Sequence, residues 1–167
     1  MADDPEVDKA LQKAYRFLAA RARSEQELRG KLAERKFDGP VIDLVIARLC
    51  ESGYLNDEAF ARQWVRRLAA EKWAGNRRIE ISLQGKGIEK ILSARILEEI
   101  RQELPEAEAV RQLIRKKLKG HRLRPWDGRE KRRLAQHLLG KGFAPGLIYE
   151  MIREAEEEYR NDDRQSD

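Results

Sequence analysis

Residues that commonly carry enzymatic or metal chemistry are few in this sequence of 167 residues. It has one cysteine, Cys50, which excludes an intramolecular disulfide framework, and two histidines, His121 and His137, that are not spaced as a metal pair. The glycine-flanked Lys86 and Lys141 lack the spacing and the following Ser or Thr of a phosphate-binding loop. No carboxylate pair accompanies a nucleophile. We therefore predict a protein that is not an enzyme and has no cofactor or metal.

The chemistry that the sequence does offer is the binding of anions by lysine and arginine. The chain has 35 Lys and Arg against 30 Asp and Glu, a net charge of +5. From Arg111 to Lys141 there are 12 bases and two acids, a net +10, whereas Glu150–Asp167 has eight acids and three bases, a net −5. This asymmetry indicates a polyanionic partner, either nucleic acid or an acidic protein surface, and the alternative is a solvated charged face.

Several of these bases have spacings that place them on one face of a helix. Arg111, Arg115 and Lys119 are spaced i, i+4, i+8. The bases from Arg129 to Arg133 crowd a predicted helix start, where the helix dipole disfavours cations, and this favours a binding role for them. The predicted binding residues are Arg62, Arg66, Arg77, Arg78, Lys86, Arg111, Arg115, Lys116, Lys119, Arg129, Lys131, Arg132 and Arg133.

The elements that would position these bases are predicted to be helices. Threonine is absent, and apolar residues recur at helical spacing nearly throughout the chain. Ser24 followed by Glu27, and Asp127 followed by Glu130, have the spacing of capping boxes. Apolar residues resume after each predicted helix stop, as at Ile91, and we expect Cys50 to be a buried small hydrophobe.

One helix-ending pattern occurs three times. Leu83, with Gly87 and Ile88 after it, has the spacing of a Schellman stop with a left-handed glycine, and residues 138–143 repeat it. The copy at residues 32–37 has Lys36 at the glycine position, where a left-handed backbone costs about 1 kcal/mol, so we expect a looser cap or a different turn there.

A pattern that recurs about every 50 residues predicts stacked helical units. The predicted fold is all-α, with three tandem three-helix repeats in an elongated, curved array of helices that cross near right angles. The predicted repeats are residues 1–55, 56–104 and 105–159. Residues 160–167 are predicted to be an acidic, disordered tail.

Three segments carry a resemblance to a known family: Ser24–Leu28 (SEQEL), Gly53–Ala61 (GYLNDEAFA) and Lys86–Ile88 (KGI). The sequence resembles RecX over roughly residues 8 to 158. The resemblance implies three tandem three-helix repeats and a non-enzymatic regulator of the RecA recombinase. Such proteins bind the groove of the RecA–DNA filament and usually inhibit its ATP hydrolysis, strand exchange and co-protease activity. Lys36 departs from the glycine of many members, and no role is carried onto the 120–128 loop.

The resemblance implies RecA and the RecA–nucleoprotein filament as partners, with weak binding of single- or double-stranded DNA. It also implies a monomer in the bacterial cytoplasm that acts in recombination, DNA repair and the SOS response. The start of the chain has no apolar leader and no 18-residue apolar run follows, so we expect no membrane association. Two alternatives stay open: a stand-alone helix-turn-helix-like DNA-binding protein and a structural adaptor.

Overall fold

The computed structural model describes residues 4–118 and 127–165. Within these ranges the chain forms nine α-helices, one π-helical turn and no β-strand, which confirms the all-helical prediction. In this part of the chain, no helix is both long and apolar enough to cross a membrane. The elements are α1 (Pro5–Ala20), α2 (Glu25–Glu34), α3 (Gly39–Glu51), α4 (Asp57–Arg66), the π-helical turn (Arg67–Glu71), α5 (Asn76–Gln84), α6 (Lys90–Glu103), α7 (Glu106–Leu118), α8 (Gly128–Gly140) and α9 (Pro145–Gln165).

The helices form two compact units. Unit 1 consists of Met1–Trp64 and Ser82–Ile96, and unit 2 of Val65–Ile81 and Leu97–Asp167. In unit 1, apolar residues of α1, α2 and α3 pack into a core that includes the fully buried Leu28, Leu32 and Leu49. In unit 2, residues of α7, α8 and α9 form a second core, and Trp73 packs against it.

Both predicted capping boxes are present. The Ser24 hydroxyl accepts a hydrogen bond from the Glu27 amide at 3.2 Å, and the Glu27 carboxylate accepts one from the Ser24 amide. Asp127 and Glu130 make the same reciprocal pair at the start of α8. Two amides at the start of α2 and three at the start of α8, where Asp127 also accepts from the Arg129 amide, are therefore satisfied by nearby residues.

The predicted helix stops are also present. The Ile88 amide donates to the Leu83 carbonyl at 3.1 Å, and Gly87 between them has φ +75°. The stop after α8 has the same form, with Gly142 at φ +91° and a matching hydrogen bond of 3.3 Å. These are Schellman stops, in which the left-handed residue lets the chain reverse while the last carbonyls remain bonded.

The stop after α2 differs from the expectation. Lys36 has φ +64°, and the Phe37 amide donates to the Leu32 carbonyl at 3.3 Å. The turn is therefore neither looser nor of another type, although the residue is not glycine. Phe37 packs against the core of unit 1, and this contact offsets the cost of a left-handed lysine.

One predicted burial is wrong. Cys50 is exposed, because it lies one position beyond Leu49 in the last turn of α3, where the core-facing stripe has ended. Ile91 is 84% exposed, because the buried face of α6 begins later, at Ser93 and Ile96. The helix α9 continues to Gln165, which places residues 160–165 of the segment predicted to be a tail within a helix.

In both units a helix stop lies against the start of a helix from earlier in the chain. In unit 1 the Ser24 hydroxyl, at the start of α2, donates to the Lys86 carbonyl at 2.6 Å. In unit 2 the Gly75 amide donates to the Lys141 carbonyl at 2.9 Å, and the Arg77 amide donates to the next carbonyl at 3.2 Å. The stops therefore satisfy polar groups at the starts of α2 and α5 as well as ending α5 and α8.

Candidate nucleic-acid interface

Two of the predicted binding residues in unit 1 are held in ion pairs. Arg62 pairs with Glu58 one helical turn earlier at 3.0 Å. Lys86 lies 2.5 Å from the Glu27 carboxylate, and its ammonium group is 4.6 Å from the centre of the Trp64 ring. Lys86 is only 21% exposed, so its charge is occupied within unit 1.

Glu27 is the acid of this arrangement. Burial acts to raise its pKa, but hydrogen bonds from Arg21 and Lys86 outweigh burial, and together with the two positive charges they lower the pKa of Glu27 to about 2. The carboxylate therefore stays ionised at neutral pH and keeps Lys86 in place. This favours a structural role for Lys86 over the predicted binding role.

In unit 2, acids occupy three further candidates. The Arg66 guanidinium donates two hydrogen bonds to the Glu103 carboxylate, at 2.8 and 2.9 Å. Arg111 lies 2.7 Å from Glu108 on its own helix and 3.6 Å from Glu154 of α9.

Lys131 pairs with Glu156, which is also on α9. Acids of α9 thus neutralise part of the basic segment. Of the two arginines predicted to share a face of α7, Arg111 is paired with an acid and Arg115 is not.

The candidates without an ion pair among the described residues are all in unit 2. They are Arg77, Arg78, Arg115, Lys116, Arg129, Arg132 and Arg133. Lys119 lies outside the described residues.

Bases from α5, α7 and the end of α8 lie close together in this unit, and one of them lies over an indole ring. The Lys116 ammonium of α7 lies 4.3 Å from the centre of the Trp73 ring. The Lys141 ammonium, just after α8, donates to the Lys72 carbonyl at 3.0 Å. Arg78 of α5 donates to the Gly140 carbonyl at 3.3 Å.

Burial and mutual repulsion lower the pKa values of two members of this group. Burial lowers the pKa of Lys141, and the charges of Arg78 and Lys116 lower it further. Burial likewise lowers the pKa of His137, with Lys141 and Lys117 acting in the same direction. We call this group the Trp73 patch, and its members are Trp73, Arg78, Lys116, Lys117, His137 and Lys141.

The backbone at Trp73 is strained and firmly held. Trp73 has φ +48°, which is uncommon for a bulky residue, and it follows the π-helical turn. Arg101, which is partly buried, donates to the carbonyl of Ala74 at 2.7 Å and to the side chain of Asn76 at 2.7 Å. Such strain costs about 1–3 kcal/mol and persists only where neighbours determine the conformation, as Arg101 does here.

The structure brings together only part of the predicted set. Arg78 and Lys116 belong to the Trp73 patch, whereas Lys117, His137 and Lys141 were not predicted as binding residues. Trp73 also packs against the core of unit 2. A signal was present in the sequence, because Arg133, His137 and Lys141 are spaced i, i+4, i+8 and so share a face of α8.

The arrangement suits a phosphate backbone. In the Trp73 patch, the described residues give none of the lysines and arginines a carboxylate partner, so their charges are available to phosphates. The described residues contain no cluster of His, Cys, Asp and Glu that could hold a metal ion. What the geometry can do is bind anions.

Comparison with known proteins decides the family. The chain matches the first three-helix domain of RecX over residues 10–49, the second over residues 56–94 and the third over residues 105–152. The chain belongs to the RecX family. This confirms the resemblance and the prediction of three tandem three-helix repeats.

Two relatives are similar to this chain in sequence over most of their length. Regulatory protein RecX of Corynebacterium efficiens is 34% identical over 157 residues, which cover 92% of this chain and 74% of that protein. Regulatory protein RecX of Mycolicibacterium smegmatis is 31% identical over 156 residues, covering 90% and 82%.

Solved structures have the same fold. The crystal structure of RecX from Lactobacillus salivarius superposes with a TM-score of 0.78 at 23% identity, over 89% of this chain and 96% of that one. A crystal structure of regulatory protein RecX has a TM-score of 0.75 at 26% identity, over 89% and 72%.

Proposed function

We propose that this RecX-family protein regulates RecA by binding the RecA–DNA filament, and that the Trp73 patch contacts DNA phosphates there. The observation that carries the proposal is the clustering of bases from α5, α7 and the end of α8, one of which lies over the Trp73 ring, with no acid paired to them among the described residues. Crowding of like charges costs free energy in the unbound protein, and a bound phosphate would relieve that cost.

The proposed effect on RecA is inhibition of ATP hydrolysis, strand exchange and co-protease activity. A protein that contacts several subunits of a filament gains avidity from each contact. It can then hold the filament in a form in which both ATP hydrolysis and filament growth are slow. The protein acts as a monomer in the bacterial cytoplasm in this proposal, and its affinity for DNA alone is weak.

The first experiment is the single-stranded-DNA-dependent ATPase of RecA, titrated with the full chain. We expect the rate to fall as the protein is added and strand exchange to fall with it. No change in either activity at saturating protein would overturn the inhibitory proposal. Sequence-specific duplex binding in the absence of RecA would instead favour a stand-alone helix-turn-helix-like DNA-binding protein.

The second experiment tests the Trp73 patch through the salt dependence of binding to single-stranded DNA. Each lost phosphate contact reduces the slope of log K against log salt by about 0.7. The triple variant Arg78→Gln, Lys116→Gln, Lys117→Gln should therefore lose about 2 from the slope. Equal slopes for this variant and the wild type would remove the Trp73 patch from the interface.

The matched control changes three paired arginines, Arg66→Gln, Arg95→Gln and Arg111→Gln, and so removes the same total charge. Each of these arginines already lies 2.7–3.0 Å from a glutamate. We expect the control to weaken binding only through the net charge, with a much smaller change of slope. Equal effects of the two triples would mean that overall charge, and not the Trp73 patch, drives binding.

A further inference from the structure

Unit 1 has an open groove that the proposed DNA contacts do not use. It lies between the end of α1, residues 53–56 and the start of α4, and its volume is about 550 Å³. Most of its wall is apolar. Its lining includes Tyr15, Ala19, Arg23, Gly53, Tyr54 and Phe60.

Most residues from Gly53 to Asp57, at the start of α4 and just before it, make structural contacts within unit 1. Gly53 makes the left-handed turn at φ +73°, and Leu55 is 3% exposed in the core of unit 1. Asn56 accepts a hydrogen bond from an amide of α4 at 2.9 Å. Asp57 accepts one from the first amide of α2 at 2.8 Å. Tyr54 is the exception, since it is 62% exposed.

Tyr54 pairs with a second exposed tyrosine at the mouth of the groove. The rings of Tyr15 and Tyr54 meet edge to face, with centroids 5.1 Å apart and an interplanar angle of 76°. Among the described residues neither hydroxyl has a hydrogen-bond partner. Phe60, which is 5% exposed, also lines the groove. Exposed tyrosines beside an apolar depression are typical of protein–protein hot spots.

The charges beside the groove select the partner. Residues 9–24 contain five bases and no acid. Lys9, Lys13 and Arg16 lie on the exposed side of α1 and have no ion pair in the described part of the chain. Arg16 is one turn from Ala19, so this basic stripe runs along the edge of the groove.

A protein segment fits this surface better than a nucleic acid does. Arg23 is the cation of the lining, and it is fixed, because its Nε donates to the Phe17 carbonyl at 3.2 Å and its guanidinium lies over the Phe17 ring. Phosphates would need free cations in the groove itself. An apolar anchor in the groove, with carboxylates toward the α1 stripe, uses both features.

We infer that the Tyr15–Tyr54 groove binds an apolar segment flanked by acidic residues on the RecA subunit. The identity of this partner rests on the proposed function, whereas its chemistry follows from the lining and the α1 stripe. The groove and the Trp73 patch then have separate tasks: the groove holds protein, and the Trp73 patch holds phosphates.

The first test compares two exposed tyrosines. Tyr54→Ala should weaken binding of the full chain to RecA filaments on single-stranded DNA by at least about tenfold, as for an aromatic hot spot. The control is Tyr149→Ala on α9, a tyrosine that is 68% exposed, and its affinity should stay within about twofold of the wild type. Neither variant should alter binding to DNA without RecA.

The second test places the photo-crosslinker p-benzoylphenylalanine at position 54 and identifies the captured peptide by mass spectrometry. A RecA peptide with acids beside apolar residues supports the inference. Capture of DNA or of a second copy of this chain overturns it, and so does a lack of crosslinks while the filament remains bound.

The two proposals fail in different ways. A wild-type protein that neither binds filaments nor changes the ATPase refutes the proposed function, and the groove's assignment to RecA with it. A wild-type protein that binds, together with an unchanged Tyr54→Ala variant, refutes the groove alone.

Discussion

Replacing Gly142 with alanine tests the contact between the last helix stop and the start of α5. Gly142 has φ +91°, where a side chain costs about 1–2 kcal/mol. A Cβ there would lie 2.5 Å from the Arg78 amide nitrogen and 2.6 Å from the Arg78 Cβ, so the backbone of α5 would have to move. Overpacking of this kind costs about 1–3 kcal/mol. We expect Gly142→Ala to lower the free energy of unfolding by about 3 kcal/mol in total.

The measurement is urea unfolding followed by far-UV circular dichroism, with two glycine controls. Gly53 has φ +73°, but a Cβ there meets no atom within 4 Å, so Gly53→Ala should cost only about 1 kcal/mol. Gly146, in the first turn of α9, also has open space, and Gly146→Ala should be neutral or stabilising by up to about 1 kcal/mol. If Gly142→Ala costs no more than Gly53→Ala, the contact with Arg78 is not a feature of the folded protein.

Three further predictions concern titratable groups. Because the folded-state pKa of Glu27 is about 2, below its unfolded value, Glu27 stabilises the protein at neutral pH and loses this effect as the pH falls from about 5 toward 2. Glu27→Gln should therefore be less stable than the wild type by roughly 3 kcal/mol at pH 7, and the gap should close near pH 2 in urea titrations. His137 has a lowered pKa that a bound phosphate would raise, so affinity for single-stranded DNA should increase as the pH falls from 7.5 to 5.5; a His137→Gln variant that keeps the full pH dependence would contradict this. The Cys50 residue is exposed, but partial burial of its thiol, followed by the charges of Glu25 and Asp57, raises the pKa of the thiol. A disulfide reagent should therefore label the native chain completely, but more slowly than it labels a free cysteine at pH 7.5. Labelling that occurs only after unfolding would refute the exposure of Cys50.

Features set by neighbours in the sequence could be predicted from the sequence. The Ser24 and Asp127 capping boxes and the stops at Gly87 and Gly142 each depend on residues within six positions, so their spacing was enough. Burial in the last turn of a helix was less accessible to prediction. Cys50 continues the apolar pattern of α3, but whether a neighbouring helix reaches that far is a property of the packing.

The candidate site was predictable only in outline. Helical spacing predicts that Arg111 and Arg115 share one face of α7. Arg111, however, forms an ion pair with Glu154, which lies 43 positions later in the sequence. Such pairing depends on how α9 packs, and no local pattern reports it. His137 was not predicted as a binding residue, because the sequence offers it no metal partner. In the structure its charged neighbours are the cations Lys141 and Lys117.

The contacts between helix stops and earlier helix starts have a consequence for synthesis on the ribosome. The Ser24 hydroxyl bonds to a carbonyl 62 positions later, and the first amides of α5 bond to Glu106 and to the carbonyls of Lys141 and Gly142. At about 5–20 residues per second, the start of α2 waits roughly 3–12 s for its partner to be made. The capping boxes of α2 and α8, by contrast, join residues only three positions apart in the sequence. The local caps can therefore form as soon as each helix is made, whereas the contacts of α2 and α5 with later helix stops form only after those stops have been synthesised.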